Sequence, residues 1–363
     1  MILTIFIVII SIIGLIILHE FGHFLVAKKL GVKVEEFGIF LPPRLIGKKI
    51  GETIYSINLL PFGAFVKIYG EETKIADPRS FSARPVWQRS LIVLAGVLSF
   101  WLAAIVLLSI VFHLGTAQVI SDEENGSLIN PQVQIISVSA NSPASAANLM
   151  PGDVIRFLRL KEQTEKQAVT KVKEVQDFIN QHRGEEIVLT IERRKEIFEV
   201  TVTPRVVVPA EEGALGVALV RTAEKSYPFF SAIYRGIVAT FTLTGEIILA
   251  LAGLVGKLIT GQGLPPGTQL MGPIGIGSLA FQAAQVSLSY FLQFIGLLAI
   301  YLAIFNLLPI PALDGGKLLF LIIEKIKGRP INHQLEERIT AVFFVLLLIL
   351  MIWATIKDIS HLF

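Results

Sequence analysis

The sequence contains no cysteine. Disulfides, thiolate nucleophiles and cysteine-held metals are therefore excluded, and any metal must be held by His, Asp or Glu. Charge is also scarce: 17% of the 363 residues are Asp, Glu, Lys or Arg, against about 25% in typical globular chains. The net charge of +3 and the pI near 9.0 are too mild to point to nucleic acid, so where the basic residues sit matters more than their number. What the chain has instead is apolar surface, with 53% hydrophobic residues and a mean hydropathy of +0.67. A soluble chain of this length would form about two domains. Its cores could not hide so much apolar surface, so lipid is the expected solvent for part of it.

Four stretches read as membrane spans: Ile2 to Ala27, Ser90 to Leu114, Leu288 to Leu308 and Ile339 to Ile356. The first, at 1.5 Å per helical residue, reaches roughly 39 Å and can cross with some tilt. It has no basic leader and no small-residue cleavage site, which argues against a removed signal peptide. A fifth apolar stretch, Phe229 to Ile259 within the region 225–262, carries Arg235, Glu246 and Lys257. It can be read as a span or as an amphipathic helix in the interface. Charge bias chooses between them. Eleven Lys or Arg fall between Lys28 and Arg89, none between Arg89 and Arg156, and none between Lys257 and Lys317. Lys317, Lys325, Lys327, Arg329 and Arg338 then follow the third span. The positive-inside rule puts 28–89 and 315–338 in the cytoplasm and both termini and 115–287 outside. That parity holds only if 229–259 stays in the interface.

The outer region 130–205 has a soluble composition. Val133–Val138 reads as a strand and Val172–His182 as a short helix. Arg183-Gly184 reads as a turn, and two alternating strands joined at Arg194-Lys195 follow, a compact α+β module. The cytoplasmic stretch Val32–Phe65 reads as β-rich, with turns at Leu41-Pro42-Pro43 and Pro61-Phe62-Gly63.

The first span holds His19, Glu20 and His23 in an H-E-x-x-H arrangement. Residues four apart share a helix face, so both imidazoles can hold one zinc with Glu20 beside its water. Two helix-facing histidines near a membrane boundary satisfy the same spacing without metal. The setting favours the metal, because ionisable groups inside a span are costly and mark function. A catalytic zinc needs a third protein ligand, and Asp314 in NLLPIPALDGGKLLF is the best-placed carboxylate. Pro309 and Pro311 should break the third span there, and Gly315-Gly316 lets the chain turn. The charge-derived topology puts Asp314 and His23 at similar depth. In the competing reading, Asp314 only caps a helix that starts at Gly315.

Six stretches, in order, resemble the site-2 protease family of intramembrane zinc metalloproteases, in the bacterial regulator of sigma-E protease form: HEFGHFLVAKKLGVKVEEFGI (19–39), LLPFGAFVKIYGE (59–71), FSARPVWQRSLIVLAG (81–96), SPASAANLMPGDVI (142–155), GPIGI (272–276) and NLLPIPALDGG (306–316). The resemblance implies one Zn2+ per chain, bound by His19, His23 and Asp314, with Glu20 as general base. It implies that a membrane-dipping β-loop, Gly63-Ala64-Phe65-Val66-Lys67, pairs with an unwound substrate, against the plainer reading of a cytoplasmic hairpin. Asn306 matches too, and could hydrogen-bond substrate or an oxyanion; it could equally satisfy a carbonyl freed by Pro309. The family often has Asn four residues after the glycine of the second span, where this chain has Phe100 after Gly96; Ser99 is the nearest polar group. His113, His182, His333 and His361 read as solvated or interfacial.

The fold that follows is a polytopic α-helical membrane protein with about four transmembrane helices, an inserted extracytoplasmic α+β domain at 125–208 that through SPASAANLMPGDVI resembles the family's PDZ domain, and a cytoplasmic, membrane-associated β-loop at 31–80. Residues 1–114 hold the first two spans and 280–363 the last two, with the LDG motif. The expected partners are the bilayer, single-span membrane protein substrates (trimmed anti-sigma factors or remnant signal peptides) and a peptide or periplasmic protein at the PDZ groove. The expected site is the bacterial inner membrane, with the active site near the cytoplasmic face. An inactive PDZ-bearing scaffold is the alternative. A transporter is disfavoured, since no paired repeat is visible.

Overall fold

The computed structural model describes residues 2–71, 73, 75–124, 128–193, 196–208, 213–261, 263, 271–329 and 331–360. In chain order its elements are α1 (Ile2–Lys29), β1 (Val34–Ile50), β2 (Thr53–Ile68), α2 (Val86–Leu114), β3 (Thr116–Ile120) and β4 (Ile129–Val138). Next come α3 (Pro143–Ala146), β5 (Val154–Leu160), β6 (Gln167–Ala168), α4 (Val172–Gln181), β7 (Ile187–Arg193), β8 (Glu196–Val202) and β9 (Val217–Lys225). The rest is helical: α5 (Phe229–Ile259), α6 (Pro273–Val286), α7 (Leu288–Leu307), α8 (Asp314–Lys327) and α9 (His333–Ser360). Two compact units result, one from the chain up to Val111 and from Phe229 onward, the other from Phe112–Pro228. His361 lies outside the described residues.

In the first unit, five described helices are long and apolar enough to cross a membrane: Leu3–Lys29, Val86–Leu114, Phe229–Ile259, Leu288–Leu307 and His333–Ser360. Leu346, Ile349 and Trp353 of α9, like Phe6 and Ile10 of α1, are exposed apolar side chains that a bilayer would solvate. The chain is a multi-pass membrane protein. Helix α9 starts at His333 rather than near Ile339, because the polar residues before the apolar run continue the same helix. The fifth candidate is α5, the stretch read from charge bias as interfacial. It is one unbroken helix that buries Ala232, Gly236, Thr240, Thr244 and Ile247. A Cβ on Gly236 would lie 2.2 Å from Ser109 Oγ of α2, so the two backbones meet closely there.

The strands of this unit fold more tightly than two hairpin arms. Residues 36–39 of β1 pair both with 54–57 and with 64–67 of β2, so each strand doubles back on itself. Ala64–Ile68 pairs with the 34–39 stretch on one side, and among the described residues no strand pairs with its other edge. Phe24, Ala27, Val32, Val34, Phe37 and Ile68 pack together with Ile92 and Val93, fixing this small sheet against α1 and α2.

Helix α7 ends at Leu307, before Pro309 and Pro311, as prolines require. The reversal falls within 308–313, ahead of Gly315 and Gly316, which already belong to α8. Their absent side chains serve close approach: a Cβ on Gly315 would lie 2.2 Å from Leu308 O, and one on Gly316 2.2 Å from Ile310 O.

The second unit is a sheet in the order β3-β9-β4-β5-β7-β8, with β6 on β5, and α4 buries Val175 and Ile179 against Val133, Ile135, Ile155, Leu158, Leu189 and Ile191. The expected strand, helix and strand pair are all present; the Arg194-Lys195 junction lies outside the described residues. Pro151-Gly152-Asp153 turns with Gly152 at φ +98°, while the buried Asp153 carboxylate pairs with Arg193 at 2.6 Å. The unit is wider than 125–208. Strand β9 pairs with β4 on one side and β3 on the other, so both flanking segments complete the sheet.

Candidate active site

Helix α1 presents His19 and His23 one turn apart, each 8% exposed. Their Nε2 atoms are 3.3 Å apart, and each is 3.3 Å from Oδ2 of Asp314. Among the described residues this trio forms a cluster able to hold a metal. Donors at about 2.0–2.1 Å from a tetrahedral zinc are separated by about 3.3 Å, the spacing found here. Oδ2 of Asp314 is buried and has no hydrogen-bond donor, which leaves its charge for a cation. Asp314 is not a helix cap: Leu313 occupies that position, and α8 starts with Asp314 itself. The carboxylate is thus delivered by the first residue of a helix whose start is wedged against the broken end of α7.

Helix α2 supplies the wall behind the imidazoles. Ile92 O lies 2.8 Å from His23 Nδ1, a contact that puts the proton on Nδ1 and leaves Nε2 free to accept, facing His19 and Asp314. Gly96, one turn on, is where the helices nearly touch: a Cβ there would lie 2.2 Å from His23 Nε2 and 2.7 Å from His19 Cε1. Gly22 of α1 repeats the device in reverse, since its Cβ would meet Ser99 Oγ at 2.2 Å. Phe100, another turn on, stacks on the His19 ring, with centroids 4.6 Å apart and planes at 15°. Ser99 donates to Ala95 O of its own helix at 2.8 Å, so it does not replace a polar group at position 100.

Glu20 lines a cavity with His23, Val66, Ile68, Glu71, Ile92, Val93, Asp314 and Lys317. The free-edged strand 64–68 therefore runs past the acidic group, with Val66 and Ile68 lining the same cavity as Glu20. Lys317 closes one side through an ion pair with Glu71 at 2.6 Å. The Glu71 carboxylate raises the pKa of that ammonium, which stays charged at neutral pH.

Of the residues expected to contact substrate, Ala64 is buried and the Phe65 ring covers Gly38, whose Cβ would lie 2.3 Å from it. Gly63 takes φ +83°, a turn conformation suited to glycine. Val66 and Ile68, further along the same strand, are the ones that line the cavity. Asn306 donates to Leu302 O at 2.9 Å, one turn back in α7. Sequence reasoning passed over Ile92, Ile68 and the role of Lys317, and met Phe100 only as a departure from the family's pattern. The strand alternation of 64–68 carried a signal for Ile68; an orienting backbone carbonyl at Ile92 leaves none. His113 is exposed, with Nδ1 3.0 Å from Tyr227 O, and His182 lies 3.0 Å from Glu185.

Comparison with known proteins bears on the chain as a whole. The family model described as Peptidase family M50 matches residues 7–350. A Clostridium perfringens relative is 34% identical over 350 residues, 95% of both chains. Zinc metalloprotease RasP of Geobacillus kaustophilus is 29% identical over 432 aligned residues, and Regulator of sigma-W protease RasP of Bacillus subtilis 28% over 431, each covering 96% of both chains.

Proposed function

The chain belongs to peptidase family M50 and is a zinc metalloendopeptidase of the site-2 type, and on that premise we propose that it cuts single-span membrane proteins within or next to the bilayer. His19, His23 and Asp314 would hold the ion, and their 3.3 Å triangle is the observation that carries the reading. Zinc bound there supplies a Lewis acid and brings the pKa of a water down to about 7.

The remaining steps belong to the chain's own groups. A transmembrane helix hides its backbone, so the scissile stretch must first become extended. The open edge of Ala64–Ile68 can take up the freed N–H and C=O groups by strand addition, which brings the extended backbone past Glu20. Glu20 accepts the proton of the attacking water and passes it to the leaving amine. Asn306 Nδ2 donates one hydrogen to Leu302 O, and its second N–H is left to stabilise the oxyanion.

We read the second unit as a PDZ domain outside the inner membrane, with the catalytic trio near the cytoplasmic face, as charge bias requires. A peptide would enter where β9 is open: β3 covers Arg221–Lys225, and Val217–Val220 extends beyond it. Trimmed anti-sigma factors and remnant signal peptides are the substrate classes in keeping with this design.

The test is Glu20→Gln in the full-length protein, assayed in detergent with a tagged single-span substrate. Cleavage should be lost while zinc and thermal stability are kept. Cleavage at the parent rate would overturn the assignment of Glu20.

A further inference from the structure

The two histidines are held in different ways. His23 has the usual device of a metal-bound imidazole, a hydrogen bond from its far nitrogen to a carbonyl, here Ile92 O at 2.8 Å. His19 is held more loosely: its buried Nδ1 makes no well-aligned hydrogen bond, and the Gly96 carbonyl offers the ring only a weak one. A ring with no such bond is free to swing about its side-chain torsions unless packing stops it. One face of it is stopped by Phe100, which is 2% exposed and stacks nearly parallel at 4.6 Å. Ile92, Gly96 and Phe100 are spaced four apart on α2, so one face of one helix supplies an acceptor for His23, room for both rings and a plate for His19.

We propose that Phe100 is a positioning residue of the metal centre: its ring does the work of a well-aligned hydrogen bond and fixes the orientation in which His19 Nε2 meets the ion. The inference rests on the reading of His19, His23 and Asp314 as zinc ligands. It goes beyond that reading in giving a buried apolar residue a role in metal affinity. Phe100 touches neither substrate nor metal and acts only through the imidazole. Leucine at this position would fill part of the space and leave the ring free to tilt. Tyrosine would keep the plate.

The experiment measures zinc affinity by chelator competition, and the visible spectrum of the cobalt-substituted protein, on full-length wild type, Phe100→Leu, Phe100→Tyr and Leu108→Ala. Leu108 is 4% exposed and packs on Gly296, so its truncation disturbs α2 packing away from the histidines. Loss of an orienting partner typically lowers metal affinity about 10–100-fold. Phe100→Leu should weaken zinc at least about tenfold and alter the cobalt spectrum, with Phe100→Tyr and Leu108→Ala remaining close to wild type. Should Phe100→Leu not fold, Phe100→Met takes its place in the same comparison. The inference is overturned if the leucine or methionine variant binds zinc as tightly as wild type. It is also overturned if Phe100→Tyr or Leu108→Ala loses as much. Wild type that binds no zinc would instead strike at the ligand assignment itself.

Discussion

Gly96 of α2 and His23 of α1 are so close that a methyl group on the glycine would lie 2.2 Å from the metal-facing nitrogen. Alanine normally favours a helix over glycine by about 1 kcal/mol. The prediction therefore runs against propensity: Gly96→Ala should leave the protein folded in the membrane but displace the imidazoles. Zinc content, measured by elemental analysis, should fall at least about tenfold, as for loss of outer-shell support. A Gly96→Ala protein with full zinc would mean the helices can part without cost to the centre.

The strand edge makes a separable prediction. The backbone N–H of Val66 belongs to the open-edged strand that lines the Glu20 cavity. Val66→Pro removes that donor, and proline is tolerated on an edge strand when its missing N–H points outward. Zinc binding should persist, while cleavage of a single-span substrate drops at least about tenfold for want of strand addition. Cleavage at the wild-type rate would mean that substrate does not pair with this edge.

The topology of α5 can be read directly, because the chain has no native cysteine to remove. Lys257, at the exposed end of α5, is replaced by cysteine and treated in intact cells with a membrane-impermeant maleimide. Charge parity predicts labelling from outside, with α5 in the interface. Labelling only after the membrane is opened would show that α5 crosses.

Much of the site could be read before the structure, for a physical reason. His19, Glu20 and His23 announce themselves because ionisable groups in an apolar run are costly, and Asp314 because prolines and glycines mark where the helix must stop. The α+β unit was legible through its alternating strands, but its flanks were not. Strands β3 and β9 lie at its ends, next in sequence to the apolar helices α2 and α5. The number of crossing-capable helices was harder, since α5 carries three charged groups yet stays apolar enough to span. Ile92 was invisible because its contribution is a backbone carbonyl, which any residue has. Phe100 stood out only as a departure from an expected pattern, and stacking geometry supplies the reason.

The account stands or falls on Asp314 sharing one ion with two histidines that lie about 290 residues earlier. The most direct measurement is zinc per chain in purified wild type, Glu20→Gln and Asp314→Ala. Roughly one zinc is expected in the first two and little in the third, as a site reduced to two protein ligands falls short of the usual three. An Asp314→Ala protein that retains the full complement of zinc would contradict it.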